Sequence, residues 1–295
     1  MLCAPTRPPE LNEGEAALCV LASGSRGNCS LLVTRVGGQT RAMLIDAGLS
    51  PRLTRRLLGG AGIEPHQLDD IVVTHLDSDH FHSGWVPALS RRVGPLRARL
   101  RMHSRHAWSV RQAHPGLECL EAFEDAFEMG GSRVDVTLLP HDELGVAAFR
   151  FEFERARSLG YATDLGRPTR ELGEALARVG TLALESNYCP ELQLASRRPA
   201  YLKRRIMGGR GHLSNQQCAE LVGWISPASQ VVLLHLSQEC NTPERAAAPH
   251  DGAAYTLTVS SQSHATPWIP IAPGRPRQPK VVCETIPLFA PAVGR

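Results

Sequence analysis

The run Ile71-Val72-Val73-Thr74-His75-Leu76-Asp77-Ser78-Asp79-His80-Phe81-His82 sets the terms for the rest of the chain. Its first four residues are apolar or β-branched, the composition of a buried strand. That strand gives way at once to imidazole and carboxylate groups. If the backbone stays extended, alternation by two places His75, Asp77 and Asp79 on one side, with His80 following on the turn. Nitrogen and oxygen donors crowded in this way are costly to hold together without a cation among them. Taken alone, the segment has a plainer reading as an exposed polar loop in which Asp and His act as turn formers and caps.

Upstream, apolar runs of strand length at 17–22, 30–34 and 42–45 are separated by Gly, Ser and Asn, which suits a β-meander. Ser50 before Pro51 predicts a helix start, with Leu53, Leu57 and Leu58 on one face and arginines on the other. Downstream, strand patterns fall at 96–102, 134–139, 146–153, 156–163, 181–184 and 230–234, and helix patterns at 169–178, 214–225 and 243–248. Strands dominate the first half and alternate with helices in the second. That mixture fits a layered α/β sandwich better than a helix bundle or a pure barrel. The expected organisation is a loose extension over 1–16, one domain over 17–271 and a Pro-rich tail over 272–295.

Composition bounds the function without choosing it. The 295 residues, 42% hydrophobic and 21% charged, exclude a disordered or collagen-like chain. A net charge of +3, from 32 basic and 29 acidic residues, predicts no nucleic-acid partner by itself. The basic residues are nearly all arginine, with lysine only at Lys203 and Lys280. Eight cysteines are scattered with no C-x-x-C pair, which fits reduced thiols in a cytosol. The N-terminus lacks the apolar core of a signal peptide, and no stretch approaches the roughly 20 apolar residues of a membrane span. The expectation is a soluble cytoplasmic protein with no membrane partner.

His75-x-Asp77-x-Asp79-His80 resembles the H-x-H-x-D-H signature of the metallo-β-lactamase superfamily, with Asp77 where the second histidine usually stands. Five further stretches extend the resemblance: Leu21-Ala-Ser-Gly-Ser25-Arg-Gly-Asn28, similar to the opening of the YycJ/WalJ branch, and then, in chain order, Leu44-Ile-Asp46-Ala-Gly48, Pro140-His141-Asp142, Tyr161-Ala-Thr-Asp164 and Leu233-Leu-His235. Glu185-Ser-Asn187, Arg210-Gly-His212-Leu-Ser-Asn215 and Asn241-Thr-Pro-Glu244 also look like that branch. Taken singly, His141, Asp164 and His235 read as a loop histidine, an Asx-turn and a core histidine. Together they have a common use. The resemblance departs at Tyr188, Cys189 and Cys240, positions outside the ligand set.

The resemblance implies an αββα four-layer sandwich with a site at one edge, made of loops at strand ends. It implies two divalent metal ions: His75, Asp77 and His141 on the first, Asp79, His80 and His235 on the second, and Asp164 bridging. Such a pair can hold a hydroxide between its members as the nucleophile. Asp46 would orient a ligand histidine. His212, paired with Glu185, would protonate the leaving oxygen beside Asp79, a form of help typically worth about 100- to 10,000-fold. Ser25, Asn28, Arg210 and Asn215 are the expected substrate contacts. Asp77 makes the first site harder, favouring manganese or iron relative to zinc.

The implied reaction is hydrolysis of a nucleic-acid phosphodiester, as in a 5′-to-3′ DNA exonuclease. The first alternative is hydrolysis of a small ester, lactone or cyclic phosphodiester; the second is a nucleic-acid binder whose first metal site Asp77 has spoiled. Arg197, Arg198, Lys203, Arg204, Arg205 and Arg210, with Tyr201 among them, form a basic strip suited either to gripping nucleic acid or to solvation. Gly208-Gly209-Arg210-Gly211 does not match a P-loop, because no Gly-Lys-Ser/Thr follows.

Overall fold

Alternation along one strand already calls for layers on both sides. In β1 (Ala16–Ala22) every residue is buried. Ala17, Cys19 and Leu21 pack into one apolar cluster, while Ala16, Leu18 and Val20 pack into another. A strand apolar on both faces must be covered on both. The computed structural model describes residues 6–90 and 97–276.

The first sheet runs through β1, β2 (Cys29–Val36), β3 (Gln39–Ile45), β4 (Leu68–Val73), β5 (Arg99–His103) and β6 (Leu120–Phe123). The second runs through β7 (Ala126–Met129), β8 (Ser132–Leu139), β9 (Val146–Glu152), β10 (Ser158–Ala162), β11 (Thr181–Glu185), β12 (Gln230–Leu234) and β13 (Thr256–Val259). The chain then returns through β14 (Ile269–Pro270), which pairs antiparallel with β1. Each sheet begins antiparallel and becomes parallel, at β3–β4 in the first and β10–β11 in the second.

Between the sheets lie Leu32, Met43, Ile45 and Val72 from one side and Phe149, Phe151, Leu159 and Tyr161 from the other. Each large apolar side chain buried here stabilises the fold by about 1.5–3 kcal/mol. Outside the first sheet pack α1 (Pro51–Gly60), α2 (Trp85–Ser90) and α3 (Ser104–Ala113), through Leu57, Trp85 and Ala107. Outside the second, Leu172 of α4 (Arg170–Ala175) packs beside Leu221 and Ile225 of a later helix, Asn215–Ile225. The architecture is the expected four-layer α/β sandwich. Short helices α5 (Pro190–Ala195) and α6 (Ala200–Arg205) follow β11, and α7 (Asn215–Ile225) and α8 (Pro243–Ala247) complete the set.

Helix starts follow the cap residues. Ser50 accepts from Leu53 N ahead of Pro51, Thr169 caps α4, and Ser214 with Gln217 forms a capping box on α7. The strand pattern at 156–163 shortens to Ser158–Ala162, because Arg155 and Ala156 have φ of 55° and 57° and make a turn. The pattern at 96–102 becomes Arg99–His103, with Leu96 outside the described residues. Helices α2, α3, α5 and α6 and strands β6, β7 and β13 lie where no element was expected. Within the segment read as a tail, Ala272 N donates to Thr181 Oγ1 and Gly274 N to Ala156 O; residues 277–295 lie outside the described residues. Among the described residues no helix is long and apolar enough to cross a membrane.

Candidate metal centre

Six chain segments converge because strands of both sheets end at one edge. Asp46 follows β3, His75 comes two residues after β4, and His141 two residues after β8. Asp164 comes two residues after β10, Glu185 closes β11 and His235 follows β12. In open α/β sheets the carboxyl ends of parallel strands are where ligands bind. Asp46, Asp164 and His235 also share a left-handed backbone, with φ of 63°, 54° and 58°. Asp and His tolerate that region better than most residues, at a cost on the order of 1 kcal/mol or more each. The turn re-aims each side chain from the strand into the site.

Three donors gather twice. One ligand atom each from His75, Asp77 and His141 lies within 4.8 Å of the other two, and the same holds for Asp79, His80 and His235. Asp164 faces both groups: its Oδ2 is 2.9 Å from His80 Nε2, it clusters with His75 and His80, and its Oδ1 is 3.9 Å from His235 Nδ1. His75 Nε2 and His141 Nδ1 are buried nitrogens with no hydrogen-bond partner. A buried, unpaired imidazole nitrogen costs roughly 1–3 kcal/mol, so its placement beside carboxylate oxygens needs a ligand to explain it. Imidazole and carboxylate groups in threes suit zinc, manganese or iron, and the residues fit a pair of divalent ions.

Neighbours hold these rings in place. Asp46 is fully buried, its Oδ2 lies 2.7 Å from His80 Nδ1, and its Oδ1 accepts from Thr74 N and Oγ1. Asn187 does for His235 what Asp46 does for His80. Its Nδ2 donates to His235 O at 2.7 Å and lies 3.1 Å from Nδ1. The loop carrying Asp79 is pinned from below, with Asn28 N donating to Asp79 O and Ala47 N to His80 O. A Cβ on Gly48 would meet Asp79 O at 1.8 Å and Asn28 N at 2.7 Å, both backbone atoms with no room to shift. Gly48→Ala should therefore destabilise the fold by about 3 kcal/mol or more and lower metal content. Thermal melting and metal analysis check this, and a variant with parental values for both would refute it.

His212 sits beside both groups. Its Nδ1 lies 2.6 Å from Glu185 Oε1 and 3.3 Å from Asp164 Oδ1. Glu185 is fully buried, and its other oxygen accepts from Leu165 N at 2.6 Å and Leu213 N at 3.3 Å. With Nδ1 committed to Glu185, Nε2 is the ring atom left for a substrate.

The charges explain why the cluster attracts cations. Burial pushes the Asp164 carboxyl up, but His235 and His80 outweigh it and hold it well below the usual carboxylate range. For Glu185 the opposition is the same, with His212 the main counterweight to burial. The His141 and His75 rings beside it, 3.9 Å and 3.7 Å from its Oδ2, hold the Asp77 carboxyl well below the usual range. Burial pulls His235 down, yet Asp164, Asp79 and Glu185 raise it to about 10. Ionised carboxylates thus draw positive charge onto the imidazoles, a demand that divalent ions meet equally well.

A cavity of 480 Å³ opens over the cluster, bordered by Asp77, Asp79, His141, Asp164, His212 and His235. Ser25 and Arg210 line its wall. Asn28 and Asn215 require correction. Asn28 is buried and bonded to Ser23, Gly24 and the Asp79 carbonyl, and Asn215 is buried and bonded to Ser186 and Asn241. Neither lines the cavity: Asn215 braces loops, and Asn28 does so while its Nδ2 lies 3.0 Å from His80 Nε2. Arg198 and Arg205, expected only as parts of a basic strip, also line the wall, and Arg198 is tied to Glu239 at 2.9 Å.

Comparison with known proteins gives this geometry a context. Residues 41–236 match the Beta-lactamase superfamily domain. The chain is 30% identical over 237 residues to exodeoxyribonuclease WalJ of Streptococcus pneumoniae serotype 2 (strain D39), covering 77% of this chain and 84% of that protein. It is 27% identical over 230 residues to exodeoxyribonuclease YycJ of Bacillus anthracis, with the same 77% and 84% coverage. Among solved structures, Zn(2+)-bound PqqB from Methylobacterium extorquens superposes with a TM-score of 0.62 at 14% identity, covering 85% of this chain and 99% of that one.

Proposed function

The chain belongs to the β-lactamase superfamily, and on that premise we propose that it is a metal-dependent phosphodiesterase that degrades nucleic acid as an exonuclease, with DNA favoured and a 5′-to-3′ direction. One observation carries the reading: two three-donor groups, the Asp164 carboxylate between them and the His212–Glu185 pair open into one cavity. The relatives named exodeoxyribonuclease support the choice of substrate.

His75, Asp77 and His141 would hold one ion and Asp79, His80 and His235 the other, with Asp164 shared. Bound divalent ions supply a water nucleophile at neutral pH and positive charge to offset that developing on the phosphate. The protein's own groups do the rest. Asp46 and Asn187 fix His80 and His235, so the donor set is organised before substrate arrives. His212 donates Nδ1–H to Glu185 and, as the cation, passes the Nε2 proton to the departing oxygen. Ser25, Arg205 and Arg210 on the cavity wall position the strand.

A small ester or lactone would need no ring of arginines, and its binding would hardly respond to salt. A nucleic acid should bind with an affinity that falls as salt rises, with a log–log slope of about −0.7 for each phosphate contacted on a single strand. The deciding experiment incubates manganese-loaded protein with end-labelled DNA and RNA beside an Asp79→Ala, His80→Ala control. Progressive shortening from the 5′ end of DNA by the parent alone is the expected result. No cleavage of either polymer by the loaded parent would overturn the proposal, and equal cleavage by the control would assign the activity to a contaminant.

A further inference from the structure

A second cavity, of 350 Å³, adjoins the metal centre and has basic but no acidic residues in its wall. Its walls include Pro140 and Leu165, the chain neighbours of His141 and Asp164, so it begins one residue from two of the centre's donors. Arg210 lines both cavities. Arg167 lines the second, with the Gly208-Gly209 backbone beside it. Asp77, Asp79, Asp164 and Glu239 border the metal cavity, whereas no carboxylate borders this one.

The loops that form this cavity are packed too closely for larger residues. A Cβ on Gly166 would meet Gly209 O at 2.3 Å, and Gly209 itself has φ of 80°. Arg167 Cδ lies 3.9 Å from where a Gly209 Cβ would stand, so its chain crosses the glycine turn. Among the described residues neither Arg167 nor Arg210 has an ion-pair partner, whereas Arg198 is bound to Glu239 and Arg245 to Glu191. Two unpaired guanidinium groups facing a carboxylate-free cavity suit an anion, and their planar donor forks match phosphate oxygens.

We propose that this cavity is a phosphate subsite: Arg167 and Arg210 hold the phosphate next to the one being hydrolysed, while the scissile phosphate lies over the metal centre. The inference rests on the nuclease reading and deepens it, because a strand with consecutive phosphates can set one over the metal ions and the next against Arg167 and Arg210. The phosphate could be a terminal 5′-phosphate or an internucleotide diester, since both present the same oxygens. Arg210 reaches toward both subsites and so sets the spacing between them.

The test measures binding of short, 3′-fluorescein-labelled single-stranded DNA, carrying either a 5′-phosphate or a 5′-hydroxyl, by fluorescence anisotropy. Manganese-loaded His212→Ala protein serves as the slow-turnover parent, alone and combined with Arg167→Ala, Arg167→Lys or Arg167→Glu. Arg167→Ala should weaken binding roughly 10-fold and reduce the salt slope by about 0.7, as expected for one lost phosphate contact. Arg167→Lys should recover part of the loss, and Arg167→Glu should exceed it. A loss confined to the 5′-phosphorylated strand identifies the terminal group, and equal losses on both strands identify the internucleotide diester. Arg167 is exposed, and a thermal melt confirms that each variant is folded. Binding by all three variants within about two-fold of the parent, with an unchanged salt slope, overturns the subsite while leaving the nuclease reading intact. A parent that binds neither strand at any salt concentration overturns both.

Discussion

Asp164→Asn is expected to remove most bound metal and to slow hydrolysis by about 1,000-fold or more. Asp164 is 3% exposed, with His80 Nε2 at 2.9 Å, His212 Nδ1 at 3.3 Å and His235 Nδ1 at 3.9 Å from its carboxylate, and it clusters with His75 of the first group. Among the described residues it is the carboxylate that clusters with both His75 of the first group and His80 of the second. Asparagine keeps the shape and tolerates the left-handed backbone at φ 54°, so a loss can be assigned to charge and not to a refolded turn. Alanine would confound the two. Removing the negative charge also leaves His80 with Asp46 as its close carboxylate partner, an arrangement that favours a proton over a metal ion. Metal per chain, measured after dialysis, should fall together with the rate. A variant with full metal content and more than a tenth of the parental rate would show that Asp164 does not join the two sites.

The segment from Ile71 to His82 was informative because strand and donors are contiguous there. Alternation set His75 beside Asp77, but the chain turns at 78–80, so Asp79 gathers with His80 and His235 instead. The remaining donors are isolated residues after apolar strands, and only their order along the chain identified them. Sheet register brings them together, with Glu185 opposite Leu234 in parallel β11 and β12. That same register puts Asn187 beside His235, a pairing of residues 48 apart that local sequence does not reveal. Asn28 and Asn215 show the converse limit. A polar residue in a motif braces a loop as readily as it faces a ligand, and burial decides which. Helices α5 and α6 escape the sequence pattern because each has 6 residues, too few to show an apolar period, and α6 leaves Tyr201 67% exposed. The helical segment reaches the site through Leu202, Arg205 and Ile206, which border the metal cavity.

His212→Ala should lower kcat on DNA by about 100- to 10,000-fold while leaving metal content at the parental level. Geometry separates its role from that of a ligand, since Nδ1 is held by Glu185 at 2.6 Å and the ring is partly open to the cavity. The size of the loss should depend on the leaving group. A nucleotide alkoxide needs a proton as it departs, whereas p-nitrophenolate does not. Hydrolysis of a p-nitrophenyl ester of a nucleotide should therefore suffer much less from the substitution than DNA does. Glu185→Gln tests the other half of the pair. Glutamine has one acceptor oxygen to offer where Glu185 uses two, toward His212 on one side and Leu165 N and Leu213 N on the other. One group is left unsatisfied in a fully buried position, at a cost of roughly 1–3 kcal/mol in stability. The rate on DNA should also fall, because His212 is no longer held in orientation. If the two residues act as one unit, the double variant will be no slower than His212→Ala alone. Equal losses on DNA and the p-nitrophenyl ester would show instead that His212 positions the substrate or the ions and moves no proton.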